Sequence, residues 1–179
     1  MTDEALMSAV KNGNLDLASD LYDRYSKRLY NYFVKISLNR EASNDLMQNT
    51  FLRVIKYRHT YKDGNPFKAW IFQIGRNVFA DYLRKEKMKV SDFDDVDNLR
   101  DHLADLDERQ TQSEKELLLH KSMGKLSEEA REILVLSRYQ NMKYEEISQL
   151  LDISVPAVKV KVHRAIKKLR DYYFELERI

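Results

Sequence analysis

Between Val155 and Arg170 the chain carries Lys159, Lys161, Arg164, Lys167, Lys168 and Arg170, and no acid. Long cations suit phosphates and guanine acceptors, and small or apolar groups suit thymine methyls. Lys159, Val160, Lys161, His163 and Arg164 are such a mixture. Acids gather elsewhere: Asp92, Asp94, Asp95, Asp97, Asp101, Asp105, Asp107 and Glu108. Net charge is only +2, so it is the segregation of charge, not its total, that assigns different tasks to the segments. Catalytic and metal chemistry find little support. His59, His102, His120 and His163 lack metal-ligand spacing, there are no cysteines, and no glycine-rich phosphate loop occurs. The dense carboxylates lie where nothing would desolvate them. The chain reads as a non-enzyme with no catalytic residue, metal or cofactor.

The elements that position the basic segment must be helices. From Ala157 to His163 apolar and charged residues alternate, a period that would suit a half-buried strand. Ser154, however, is a good helix cap, and Pro156 sits in the first turn, where its missing N–H costs nothing. Beyond it Val158, Val162, Ala165 and Leu169 recur at steps of four, three and four, with Ile166 widening the stripe. That is a helix face, and Val160 lies opposite it. Upstream, "KYEEISQLL" turns Ile147, Leu150 and Leu151 inward and breaks at Asp152–Ile153. Two short helices so spaced form a helix-turn-helix, whose second helix enters the major groove. A helical hairpin with a merely solvated basic face is the alternative. The serine cap, the acid-free helix and the spacing together favour DNA.

The rest of the chain also predicts helix, in keeping with four glycines, two prolines and abundant Leu, Glu, Lys and Arg. Thr2 or Asp3 caps a first helix ending at Gly13. Asn14 caps a second, to about Ser37, with Leu17, Leu21, Tyr25, Leu29, Tyr32, Phe33 and Ile36 on one face. A third opens at Asn39 or Arg40, turns Leu46, Phe51, Val54 and Ile55 inward, and ends near Tyr57. Asp63-Gly64-Asn65-Pro66 is a turn. A fourth helix follows, with Phe67, Trp70, Ile71, Ile74, Val78 and Leu83 as core positions; its internal Gly75 costs ~1 kcal/mol relative to Ala unless a close approach needs it. Periodicity fades over 88–113, which reads as an acidic linker with a weak helical turn at Leu99–Leu106. A helix from Glu114 to about Gly124 and another capped by Ser127 precede the break at Asn141. The expected fold is all-α, with helical domains at 1–87 and 114–179 joined by the linker at 88–113.

The opening "MTDEALMSAV" is acidic and lacks the pattern of a signal peptide, and the run Ile133–Leu136 is far too short to span a bilayer. A soluble, cytoplasmic chain is expected, without membrane insertion.

In order along the chain stand "DLMQNTFLRVIKY", "FKAWIFQIGRNVFADYLRK" and "LSEEAREILVLSRYQNMKYEEISQLLDISVPAVKVKVHRAIKKLR". Together they resemble the bacterial extracytoplasmic-function (ECF) sigma factors of the sigma-70 family, from about Leu15 to Tyr173. The resemblance implies two helical domains, sigma regions 2 and 4, that bind core RNA polymerase through its β′ clamp helices and β flap and direct it to promoter DNA. Region 2 would open the −10 element and hold its bases as single strand; region 4 would read the −35 element as duplex. It implies core-polymerase contacts at Asp45, Gln48, Asn49 and Arg53, where Asn49 replaces a usual acid. It implies −10 contacts at Arg76 and Asn77, after a Gly75 that stands for alanine, with backbone contacts at Arg84 and Lys85. The loop Arg58–Asn65 would wall the pocket of a flipped base, with His59, Tyr61 and Lys62 as candidates. For −35 DNA the set is Ser154, Ala157, Lys159, Val160, Lys161, His163, Arg164 and Lys168, where Ala157 and Val160 replace the family's Thr and Ser. Lys143 stands where a capping Ser or Thr is usual. The resemblance also implies an anti-sigma factor, often membrane-anchored, acidic linker residues in the channel of the nascent RNA, and association with the nucleoid when active. A repressor or response-regulator output domain shares the C-terminal motif but leaves the N-terminal motifs and linker unexplained; an adaptor explains less still.

Overall fold

The computed structural model describes residues 1–91 and 113–179, and all its regular elements among these are helical. The linker's acids and its turn at Leu99–Leu106 lie outside the described residues. The α-helices are α1 (Asp3–Lys11), α2 (Ala18–Ser37), α3 (Arg40–Lys56), α4 (Phe67–Ser91), α5 (Glu114–Lys125), α6 (Glu128–Leu134), α7 (Tyr144–Leu151) and α8 (Val155–Glu177). Backbone packing separates the chain into two units: Met1–Phe33 with Glu41–Asp92, and Val34–Arg40 with Phe93–Ile179. This differs from a linear division in grouping Val34–Arg40 with the C-terminal helices. Helix α4 also runs to Ser91, past the expected start of the linker.

In the first unit Thr2 caps α1 by accepting from the Ala5 N–H at 3.2 Å. Asn14 makes no side-chain cap; a 3₁₀ turn, Leu15–Leu17, leads into α2 instead. Leu6, Met7 and Val10 of α1 are fully buried with Leu29, Tyr32 and Phe33 of α2 and Phe67, Ile71 and Phe72 of α4. Tyr25 meets Phe67 edge-on at 5.1 Å, and Tyr32 meets Phe72 likewise at 5.2 Å, geometry that adds to the gain from burial alone. On α3 the expected inward residues Leu46 and Val54 are buried, but Phe51 and Ile55 are only half-buried. Met47, Ser43 and Thr50 take their place in the core. Thr50 can be there because its hydroxyl donates to the Leu46 carbonyl at 2.7 Å, leaving no polar group unpaired. A Cβ on Gly75 would meet Phe33 Cζ at 3.4 Å, ordinary contact, so the helix approach there does not require glycine.

In the second unit Ser113 caps α5, accepting from the Glu116 N–H, and Ser127 caps α6, accepting from the Ala130 N–H. The helix expected to run through Tyr139 widens to a π-helical turn over Val135–Tyr139. Asn141 follows with φ of 50°, the expected interruption. The core holds Met123, Ile133, Leu134, Val135, Leu136, Ile147, Leu150, Val158, Val162 and Ala165. Arg131 is buried among them. It donates to the carbonyls of Ile36 and Met123 at 2.9 Å, Leu126 at 3.0 Å and Gly124 at 3.3 Å. The final carbonyls of a helix have no partner within it and carry partial negative charge. One guanidinium supplies partners at the ends of α2 and α5. His120 of α5 is half-buried; burial, with the charges of Lys35, Arg131 and Arg40, pushes its pKa down to about 4.

Candidate nucleic-acid interface

Helix α7 closes at Asp152, whose left-handed backbone (φ 54°, ψ 48°) makes the turn. Ser154 then starts α8 by accepting from the Ala157 N–H at 3.2 Å, with Pro156 in the first turn. The Ser154 hydroxyl is thus occupied in the cap. At the head of α7 a lysine ammonium cannot accept a hydrogen bond. The Glu146 carboxylate instead accepts from the Lys143 N–H at 2.7 Å, one half of a capping box. That contact offsets the missing Ser or Thr.

The alternating stretch is helix throughout. Val158 and Val162 are buried and Val160 is 46% exposed. Lys159, Val160, His163 and Arg164 share a solvent-facing side, as spacings of one, four and five dictate, and Lys168 is exposed one turn on. Ala157 and Lys161 are half-buried. Lys161 forms an ion pair with Glu129 of α6. Glu129 was invisible as a site residue in the sequence because 32 residues separate the partners.

The first unit brings its candidates together differently. Asp45, Gln48 and Asn49 are exposed on α3, as their three- and four-residue spacings require. Arg53, expected among them as an exposed partner, is turned aside: its guanidinium holds Asp81 of α4 at 2.7 Å. Arg84 holds the other Asp81 oxygen at 3.2 Å. The Arg53 hydrogen bond keeps the Asp81 carboxyl below its usual range. Asp81 was missed in the sequence, although its i,i+3 spacing to Arg84 was a weak signal. Asn77 is exposed and accepts from Gln73 at 3.3 Å; Arg76 is half-buried; Arg84 and Lys85 are exposed.

In the loop between α3 and α4, His59 and Lys62 are exposed but Tyr61 is not. Tyr61 is 1% exposed. Its ring packs edge-on against Trp70 at 5.2 Å and its hydroxyl donates to the Asn65 carbonyl. Tyr61, a candidate for the wall of that pocket, is thus buried rather than at the loop surface: an aromatic ring gains more from this apolar cluster. Among the described residues no cluster of His, Cys, Asp or Glu could hold a metal ion, and no helix is long and apolar enough to cross a membrane.

A helix-turn-helix with an outward cationic face, in a chain with a second helical unit, is an arrangement of the class of helical DNA-binding proteins. Comparison with known proteins narrows the class. Residues 21–88 match the model of sigma-70 region 2, and residues 116–169 that of sigma-70 region 4. The chain is 30% identical over 171 residues to RNA polymerase sigma factor CarQ of Myxococcus xanthus, covering 96% of this chain and 97% of that protein. It is 30% identical over 155 residues to ECF RNA polymerase sigma factor SigM of Bacillus subtilis (strain 168), covering 86% and 93%. The fold matches the sigma factor RpoE, solved with the anti-sigma factor NepR from Bartonella quintana, with a TM-score of 0.72, 23% identity and coverage of 86% and 94%. It also matches CnrH, solved with the cytosolic domain of CnrY, with a TM-score of 0.70, 23% identity and coverage of 94% and 95%. The chain belongs to the ECF RNA polymerase sigma factors of the sigma-70 family.

Proposed function

We propose that this chain binds core RNA polymerase and carries it to promoters, reading −35 duplex with α8 and holding −10 single strand with α4 and the loop before it. The observation that carries this reading is the division of α8: Val158, Val162 and Ala165 are buried while Lys159, Val160, His163 and Arg164 face solvent. Such a face supplies phosphate contacts and a methyl-seeking group in one groove. Asp45, Gln48 and Asn49 offer an exposed polar stripe for the polymerase clamp, and Arg53 acts there through its bond to Asp81. Asn77, Arg84 and Lys85 offer an amide and cations to a displaced strand; Arg76 joins them from a half-buried position. Asp92, Asp94, Asp95 and Asp97 enter the channel of the nascent RNA. The chain itself catalyses no reaction, and it works in the cytoplasm.

An anti-sigma factor is the regulatory partner to expect, as the solved RpoE–NepR complex contains one. It would cover the polymerase- or DNA-facing surfaces, and a membrane anchor would belong to it rather than to this chain.

Run-off transcription with purified core polymerase on genomic fragments tests the reading. Discrete transcripts that need both components are expected. Tight binding of the free chain to an inverted repeat, with no polymerase-dependent transcript, would overturn it in favour of a dimeric repressor.

A further inference from the structure

Helix α1 precedes the region that matches the sigma-70 models, yet its polar side is bonded to three parts of the first unit. Asp3 accepts from Tyr25 Oη at 2.6 Å and from Arg24 at 2.7 Å, both on α2. Glu4 accepts from the Phe67 N–H at 3.2 Å, satisfying one of the orphan donors at the start of α4. Ser8 Oγ donates to Asp63 Oδ1 at 2.6 Å and Lys11 Nζ donates to Asp63 Oδ2 at 2.9 Å. The last two bonds reach the tip of the loop 58–66.

Within itself the loop is held by the Tyr61 hydroxyl on the Asn65 carbonyl and by the Asn65 N–H on the Lys62 carbonyl at 3.1 Å, neither of which engages the Asp63 side chain. Arg58 donates to the Ile55 carbonyl at 2.9 Å, and Tyr61 is sunk into the Phe67–Trp70 cluster. Beyond Tyr61 the chain turns through Gly64, whose φ of +87° gives the tip a conformation that other residues resist. Asp63 stands at that turn with its side chain 59% exposed, while the Lys11 side chain is 24% exposed. An ion pair so open to water contributes little to stability. With Ser8 it gives the carboxylate a bond at each oxygen, which fixes direction. Exposed Lys62 lies between buried Tyr61 and the pinned Asp63, and exposed His59 stands two residues before Tyr61.

We propose that α1 is a brace that holds the loop 58–66 in the form that receives an unstacked base, with Ser8, Lys11 and Asp63 as positioning residues. The inference rests on the reading that this loop walls a pocket for single-stranded −10 DNA. A loop ordered before binding does not lose its freedom on binding, so the brace raises selectivity without touching DNA. The Ser8 and Lys11 hydrogen bonds also hold the Asp63 carboxyl below its usual range, keeping it ionised as the brace requires.

The test uses holoenzyme assembled from the full chain and core polymerase, with a single-stranded DNA pool randomised across a short window. Wild type, Asp63→Ala and the double variant Ser8→Ala/Lys11→Met are compared by the bases they enrich and by amide exchange over 58–66. The expected result is a several-fold loss of preference at one position in both variants, with the other positions kept and exchange in the loop accelerated. The charge swap Lys11→Asp/Asp63→Lys is expected to recover part of the preference and protection. Unchanged preference in the variants, or an equal loss at every position, overturns the brace. A wild-type holoenzyme that enriches no base overturns the assignment of the loop, and the inference with it.

Discussion

Arg53 and Arg84 of the first unit are each held by a carboxylate, whereas most of the cations on the outward face of α8 are not. Among the described residues no ion pair holds Lys159, Arg164 or Lys168, and Lys161 alone is tethered, by Glu129. In the first unit Arg53 and Arg84 share Asp81, Asn77 is held by Gln73, and Asp63 by Ser8 and Lys11. The contrast fits the two targets. Duplex DNA is a rigid partner, so a helix with outward cations not held by ion pairs finds its phosphates already in place. A displaced strand is flexible, so selectivity must come from the order of the protein surface that receives it.

The largest test concerns what keeps α8 on its frame. Arg131→Met removes a charged donor and leaves carbonyls at the ends of α2 and α5 unpaired. A loss of at least about 3 kcal/mol is expected in urea denaturation, with duplex binding lost in proportion. A loss near zero would mean that the frame under α8 depends on its apolar contacts alone. Next is the groove face itself. If Val160 packs on a thymine methyl, Val160→Ser changes preference at one −35 base pair by about 1–3 kcal/mol, read by competition with promoter variants. An equal loss on every promoter would show that Val160 only shapes the helix.

A pH titration separates the units further. His120 is held neutral when folded, with a pKa of about 4 against an ordinary 6.5. The unfolded chain therefore binds the proton more readily between those values, and stability falls as pH drops through that window. After allowance for solvent screening of a half-buried ring, about 1–2 kcal/mol is at stake. His120→Gln is expected to flatten the pH dependence of melting; an unchanged slope would locate it elsewhere. The smallest effect belongs to the shared carboxylate. Asp81→Asn is expected to cost no more than about 1 kcal/mol of stability. It should nevertheless weaken single-strand capture and polymerase binding by holoenzyme while sparing −35 duplex binding. Equal damage to both DNA activities would erase the contrast between tethered and free cations.

The helical plan could be read from sequence because it rests on local signals. Thr2, Ser127 and Ser154 cap where their types and positions predict, Asp152 and Asn141 break helices as expected, and the stripe Val158, Val162, Ala165 outweighs a seven-residue alternation. The outward set on α8 follows from the same periodicity, so it too was legible. What sequence reasoning misplaced depends on partners far along the chain. Tyr61 looked like a loop aromatic until Phe67 and Trp70 gave it an apolar seat, and Arg53 looked exposed until Asp81 drew it in. Met47 took the burial expected of Phe51 because a 3.6-residue period leaves flanking positions of a stripe open to either outcome.

By itself, then, the sequence determined the helical plan, the caps at Thr2, Ser127 and Ser154, the helix-turn-helix and the outward face of α8, because each depends on contacts within a few residues. Only the tertiary structure decided that Arg131 serves carbonyls at the ends of two helices, that Asp81 couples Arg53 to Arg84, and that α1 reaches Asp63. Those bonds join residues whose separation in the chain carries no periodic trace, and their geometry exists only once the apolar faces have packed.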